Sequence, residues 1–122
     1  MSDLQPRGIP YTVDGVERNF LFTLAAVDEI QAKYDLPVSQ VMAKLADDRE
    51  VYDTIAVLAT ILINDEIRRT GREESEVTEQ DMKWILDVPA ADALVAVILR
   101  SYGYALPTTE DEAPNPERSR SS

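Results

Sequence analysis

Hydrophobic positions change period twice along the chain, and those changes divide it into elements. Residues 1–8 are polar, with Pro6 and Gly8, and predict a flexible arm. From Ile9 the period is two. Ile9, Tyr11 and Val13 alternate with Pro10 and Thr12. Beyond Asp14-Gly15, Val16, Arg18, Phe20 and Phe22 share one parity. Asp-Gly accepts the positive φ angles of a two-residue turn, so the pattern predicts a hairpin over 9–22, with strands at 9–13 and 16–22. Pro10 has no N–H to give a ladder, which makes the first strand an edge. A lone hairpin is marginal in water, so its apolar parity must rest on helices or on another chain's strands, with Phe20 and Phe22 as anchors.

Helical spacing takes over after Thr23, a suitable N-cap. Leu24, Val27, Ile30, Gln31 and Tyr34 line one side of a helix over 24–34, with Asp28 and Glu29 on the other. Leu36-Pro37 breaks it, and Pro37 opens a helix over 37–46 striped by Val38, Val41, Met42 and Leu45. The longest helix, 49–70, has a main stripe of Val51, Ile55, Leu58 and Leu62, widened by Tyr52, Ala56, Ala59, Ile63 and Ile67. Gly71 is placed to end it, and Arg68-Arg69 suit its negative pole. Thr78-Glu79-Gln80-Asp81 has the form of a capping box and predicts a helix over 79–86 carrying Met82, Ile85 and Leu86. Pro89 opens a last helix, 89–102, with Leu94, Val95, Val97, Ile98, Leu99 and Tyr102, which Gly103 stops. From 105 to 122 Pro, Asp, Glu and Ser dominate, the composition of a disordered tail. The expected fold is mainly α: a short N-terminal β-hairpin and then a compact bundle of about four to five helices, in a single domain over 9–104.

Composition narrows the function. The 122 residues are 44% apolar, ordinary for one globular domain. Asp and Glu number 23 against 12 Lys and Arg, a formal net charge of -11. Such a chain repels phosphate, so neither nucleic acid nor an anionic membrane surface is an expected partner. Cys and His are both absent. No disulfide, thiolate metal site, cysteine nucleophile, Ser-His-Asp triad or ordinary zinc centre can then be built. The glycines lack phosphate-loop spacing, and no segment has a calcium-loop pattern. The pairs Asp28-Glu29, Asp47-Asp48, Asp65-Glu66 and Glu73-Glu74 and the run Glu110-Asp111-Glu112 read as solvated charged faces, since adjacent helix residues do not converge. No enzyme is expected, and no catalytic, cofactor-binding or metal-binding residue, hence no cofactor. The N-terminus lacks a signal-peptide core, and the longest uncharged run, between Asp53 and Asp65, is far short of the roughly 20 residues that span a bilayer. A soluble, cytoplasmic protein is expected.

Binding candidates come from apolar residues off the main stripes. Val57 and Ile61 fall outside the main stripe of the 49–70 helix, near Thr54, Asn64 and Arg68. A second apolar face implies cover on two sides. Another helix of the same chain supplies it most often in a compact helical domain; a partner or a second subunit is the functional alternative. Trp84 reads first as a core or rim packing residue. Tyr102, Tyr104 and Leu106 flank Gly103, where they either fold back over the core or mark where the tail engages a partner.

The order of elements resembles a family. It runs from the hairpin Ile9-Pro-Tyr-Thr-Val-Asp-Gly-Val-Glu-Arg-Asn-Phe-Leu-Phe-Thr to the helix start Leu24-Ala-Ala-Val-Asp-Glu-Ile-Gln. A helix ending in Ile61-Leu-Ile-Asn-Asp-Glu follows, then an acidic loop and Thr78-Glu-Gln-Asp-Met. Over about 9–102 this looks like the tail assembly chaperones of long-tailed bacteriophages. The resemblance implies a protein that binds the tape measure protein, keeps that long helical chain soluble and helps recruit tail tube subunits. It would work in the cytoplasm of the infected bacterium and be absent from the mature virion. Many such chaperones also occur in a longer, frameshifted form. The family supplies no short residue motif to transfer. The alternative is a structural head–tail connector or tail component of the virion.

Overall fold

A computed structural model describes residues 8–105. The hairpin is formed by β1 (Ile9–Val13) and β2 (Val16–Phe20), antiparallel, with Val13 opposite Val16 and Ile9 opposite Phe20. Asp14 and Gly15 stand at φ 52° and 78°, the paired left-handed conformations of a type I′ turn. The ladder stops at Phe20, two residues short of the expected strand, because the chain turns at Leu21 to present Thr23 as a cap. The alternation outlasts the ladder: Arg18, Phe20 and Phe22 are buried and Glu17 is exposed.

Helix α1 (Leu24–Tyr34) is capped by Thr23, whose hydroxyl accepts the Ala26 N–H at 3.0 Å and donates to Asp65 at 2.8 Å. These two hydrogen bonds tie the start of the helix to Asp65. Ala26 and Ile30 face inward, and Leu24, expected on the apolar side, is 84% exposed. Helix α2 (Val38–Ala43) is shorter than expected and closes in a 3-10 turn over Lys44–Ala46. Pro37 is its N-cap rather than its first residue, and the Gln31 side chain takes the Val38 N–H at 2.9 Å.

Helix α3 (Val51–Thr70) is the axis of the domain. It starts two residues late because Asp47 forms a turn of its own, binding the Arg49 and Glu50 N–H groups. Gly71, at φ 69°, ends it in the left-handed conformation that glycine adopts without a Cβ penalty. Every residue from Thr54 to Ile67 is buried. The helix touches α1, β2, the 3-10 turn and the two helices that follow, so those turns are covered on most sides. Helix α4 (Glu79–Ile85) has the full capping box: Thr78 accepts from the Asp81 N–H at 3.0 Å, and Asp81 accepts from the Thr78 N–H at 2.9 Å.

Helix α5 (Val88–Ala105) begins ahead of Pro89 because the Asp87 carboxylate caps the Ala90 N–H at 2.9 Å. It does not stop at Gly103, which weakens a helix by about 1 kcal/mol relative to alanine without ending it. Leu94 and Ile98 are fully buried, and the Ser101 hydroxyl donates to the Phe20 carbonyl, tying α5 to β2. Phe22 meets Tyr102 edge-on, with ring centroids 5.3 Å apart. No helix among the described residues is long and apolar enough to cross a membrane. Ala105 belongs to α5; the rest of the expected tail, 106–122, and the arm at 1–7 lie outside the described residues.

Candidate functional site

The proposed contact residues on α3 are not on the surface. Val57 is 3% and Ile61 5% exposed, which corrects their assignment as a partner-binding face. Their side of α3 is covered from within the chain. Asn64 binds the backbone of Val77 through two 2.8 Å hydrogen bonds, and Arg68 reaches Glu29 of α1 at 3.2 Å. Tyr102 is half-buried against Phe22, and Tyr104 lies in the last turn of α5. Leu106 lies outside the described residues.

A second correction concerns Asp65 and Glu66, each 7% exposed rather than solvated. Asp65 holds the Thr23 cap and faces Arg69 at 3.7 Å. Glu66 accepts the Asn19 N–H of β2 at 3.1 Å and faces Arg72 at 3.7 Å. Arg18, on the buried face of β2, forks onto both oxygens of Glu74 at 3.0 and 3.1 Å, and Arg72 meets Glu74 at 2.7 Å. The Arg18 guanidinium holds the Glu74 carboxyl below its ordinary range, and Arg68 does the same to Glu76. These carboxylates are spent on locking the hairpin and the 72–77 loop to α3. The sequence carried a signal for them. The main stripe Val51, Ile55, Leu58, Leu62 runs on at helical spacing to Asp65 and Glu66, with Arg69 one turn further.

The opposite end of α3 is different. A groove of about 270 Å³ opens between the first turns of α3, α4 and the start of α5. Ile55, Ala56, Met82, Leu86 and Ala91 form its apolar lining, and Tyr52 and Val88 stand at its exposed edge. Two polar pairs cross its rim. Lys83 binds Asp53 at 2.6 Å, and the Tyr52 hydroxyl donates to Asp92 at 2.9 Å. Asp53 raises the affinity of the Lys83 ammonium for its proton, and Asp92 does the same for the Tyr52 hydroxyl, so both groups remain protonated donors at neutral pH. Val88 is 56% exposed at the point where α5 begins. Trp84 lies two positions from both Met82 and Leu86, on the far side of α4, and is 81% exposed; it is not the packing residue expected.

Sequence reading missed this groove because residues from three separate elements make it, and no one element shows a concave face by itself. Its chemistry is that of a contact surface, an apolar concavity under an acidic rim. Among the described residues no three His, Cys, Asp or Glu side chains gather to hold a metal ion. Comparison with protein-family models, with curated proteins and with solved structures finds no match.

Proposed function

We propose that the chain is a tail assembly chaperone of a long-tailed bacteriophage. In this reading it binds the tape measure protein, keeps it soluble and helps recruit tail tube protein, with self-association as a further contact. It acts in the cytoplasm of the infected cell and leaves before the virion is complete. It is not an enzyme. The order of elements described above suggests the family. The observation that carries a binding role is the open apolar groove on a domain whose other end is tied together by its own ion pairs and hydrogen bonds. A holdase needs apolar surface for contact and charge for solubility, and a net charge of -11 supplies the second.

The experiment is co-expression. The tape measure protein produced with this chain should appear in the soluble fraction and co-purify with it. Produced alone, it should sediment. Equal sedimentation in both cases contradicts the reading. Stoichiometric presence of the chain in purified particles, measured by mass spectrometry, would point instead to a structural tail or connector component.

A further inference from the structure

Resting on the reading of the chain as a binding module, we propose what its groove takes: a basic, amphipathic helical segment of the partner. One apolar side chain of that segment enters between α3, α4 and α5. Its Lys or Arg residues meet the carboxylates of the rim.

The size of the groove argues for a side chain. About 270 Å³ falls below the roughly 300–1,000 Å³ typical of small-molecule sites. The floor argues the same way, because Ile55, Ala56, Met82 and Ala91 have no hydrogen-bonding side chain with which to orient a polar ligand. Met82 adds an unbranched, polarizable side chain that adapts to what it meets.

Charge selects the partner's sign. Asp53, Asp87 and Asp92 stand around the groove against Lys83, the one cation among its lining residues, and Lys83 is already held by Asp53. Among the lining residues two carboxylates, Asp53 and Asp87, stand against one ammonium, and Asp92, just beyond the lining, adds a further negative group at the rim. A second copy of this chain would bring its own net charge of -11 against that rim, so a copy is disfavoured and a basic segment is favoured.

The hairpin argues for a helix over a strand. An extended partner needs an open sheet edge. Pro10 removes a donor from β1, and Glu66 already occupies the Asn19 N–H of β2. Helix-in-groove docking needs only an apolar anchor and flanking charge.

The probe is a synthetic Leu/Lys amphipathic peptide of about four helical turns, titrated into the whole chain and followed by calorimetry and methyl NMR. Saturable one-to-one binding is expected, with shifts at the Met82 and Val88 methyls and weakening as salt is raised. Val88→Glu and Asp92→Lys sit on exposed positions and should each weaken binding at least about tenfold, about 1.4 kcal/mol. Asp28→Lys on α1 and Trp84→Ser on the far side of α4 should leave it within about twofold, under about 0.5 kcal/mol. Val88→Ser adds no charge and keeps the test open if Val88→Glu loses its fold.

Absence of saturable binding overturns the proposal. So does equal weakening by Asp28→Lys, which would mean general charge attraction. Loss with Trp84→Ser while Val88→Glu binds normally also overturns it, as does equal affinity for a Leu/Glu peptide of the same pattern. The tape measure protein separates this proposal from the reading it rests on. If wild type co-purifies with it and both groove variants do so equally well, the groove falls and the chaperone reading stands. If wild type fails to co-purify, the chaperone reading falls and the peptide titration still judges the groove.

Discussion

Asn64 is the most informative position to perturb, because one side chain does the work of a strand pair. Its Oδ1 accepts the Val77 N–H at 2.8 Å, and its Nδ2 donates to the Val77 carbonyl at 2.8 Å. Asn64 is 6% exposed, while Val77 is half-buried. The clamp ends the 72–77 loop on α3 and so sets where α4 lies over the groove. Each bond contributes about 0.5–1.5 kcal/mol net. Water reaches Val77 in part once the amide is gone, so Asn64→Ala should cost about 1–3 kcal/mol. At about 4–8 °C per kcal/mol for a domain of this size, the thermal midpoint should fall by about 5–20 °C. Asn64→Asp is nearly isosteric but turns the donor into a second acceptor facing the Val77 carbonyl. At neutral pH it should cost at least as much as Asn64→Ala. In the Asn64→Asp variant a protonated carboxyl restores the donor, so the folded state holds that proton more tightly than the unfolded chain. Its contribution is therefore present at low pH and lost as pH rises through the elevated folded pKa. The gap between this variant and wild type should narrow as pH falls toward the ordinary pKa of an unfolded aspartate and widen at neutral pH. The assay is urea denaturation by circular dichroism, with hydrogen exchange at the Val77 amide as the local readout. An Asn64→Ala midpoint equal to wild type, or Asn64→Asp as stable as wild type at neutral pH, refutes the clamp.

Phe20→Ala should destabilise by about 3–5 kcal/mol, since the ring is 1% exposed between hairpin and helices; a small shift in urea midpoint would place it at the surface. Val57→Asp with Ile61→Asp should unfold the domain, seen as loss of the cooperative thermal transition, because each carboxylate would be buried without a partner. Glu74, held below its ordinary pKa by Arg18, contributes stability that is present above its unfolded pKa and lost as pH falls through its lower folded one. Glu74→Gln should therefore flatten the acid side of the stability–pH curve; an unchanged slope would show the pair contributes nothing.

Features set by adjacent residues were legible in the sequence. Asp14-Gly15 encodes its own turn, Thr78 and Asp81 their own capping box, and the parity of Phe20 and Phe22 follows from the two-residue period. Helix rotation was not legible where a distant partner decides it. Leu24 belongs to the apolar stripe by spacing, but with Thr23 tied to Asp65 and Ala26 and Ile30 inward it stands in solvent. Val57 and Ile61 announced a second buried face correctly as a pattern, and only the packed chain shows that Val77 and α1 help to cover it. The solvated reading of Asp65 and Glu66 failed because their partners, Thr23 and Asn19, are more than forty positions away. The groove was the least visible feature, since it exists only where α3, α4 and α5 meet.

Under the proposed reading, the partner docks at the groove end and the hairpin end serves only the domain's own packing. Hydrogen–deuterium exchange of the chain, alone and in complex with co-purified tape measure protein, tests it most directly. New protection is expected across α4 and the first turns of α5, around residues 79–92, with the hairpin unchanged. Protection confined to the hairpin and the 72–77 loop, with α4 exchanging as it does in the free chain, would contradict it.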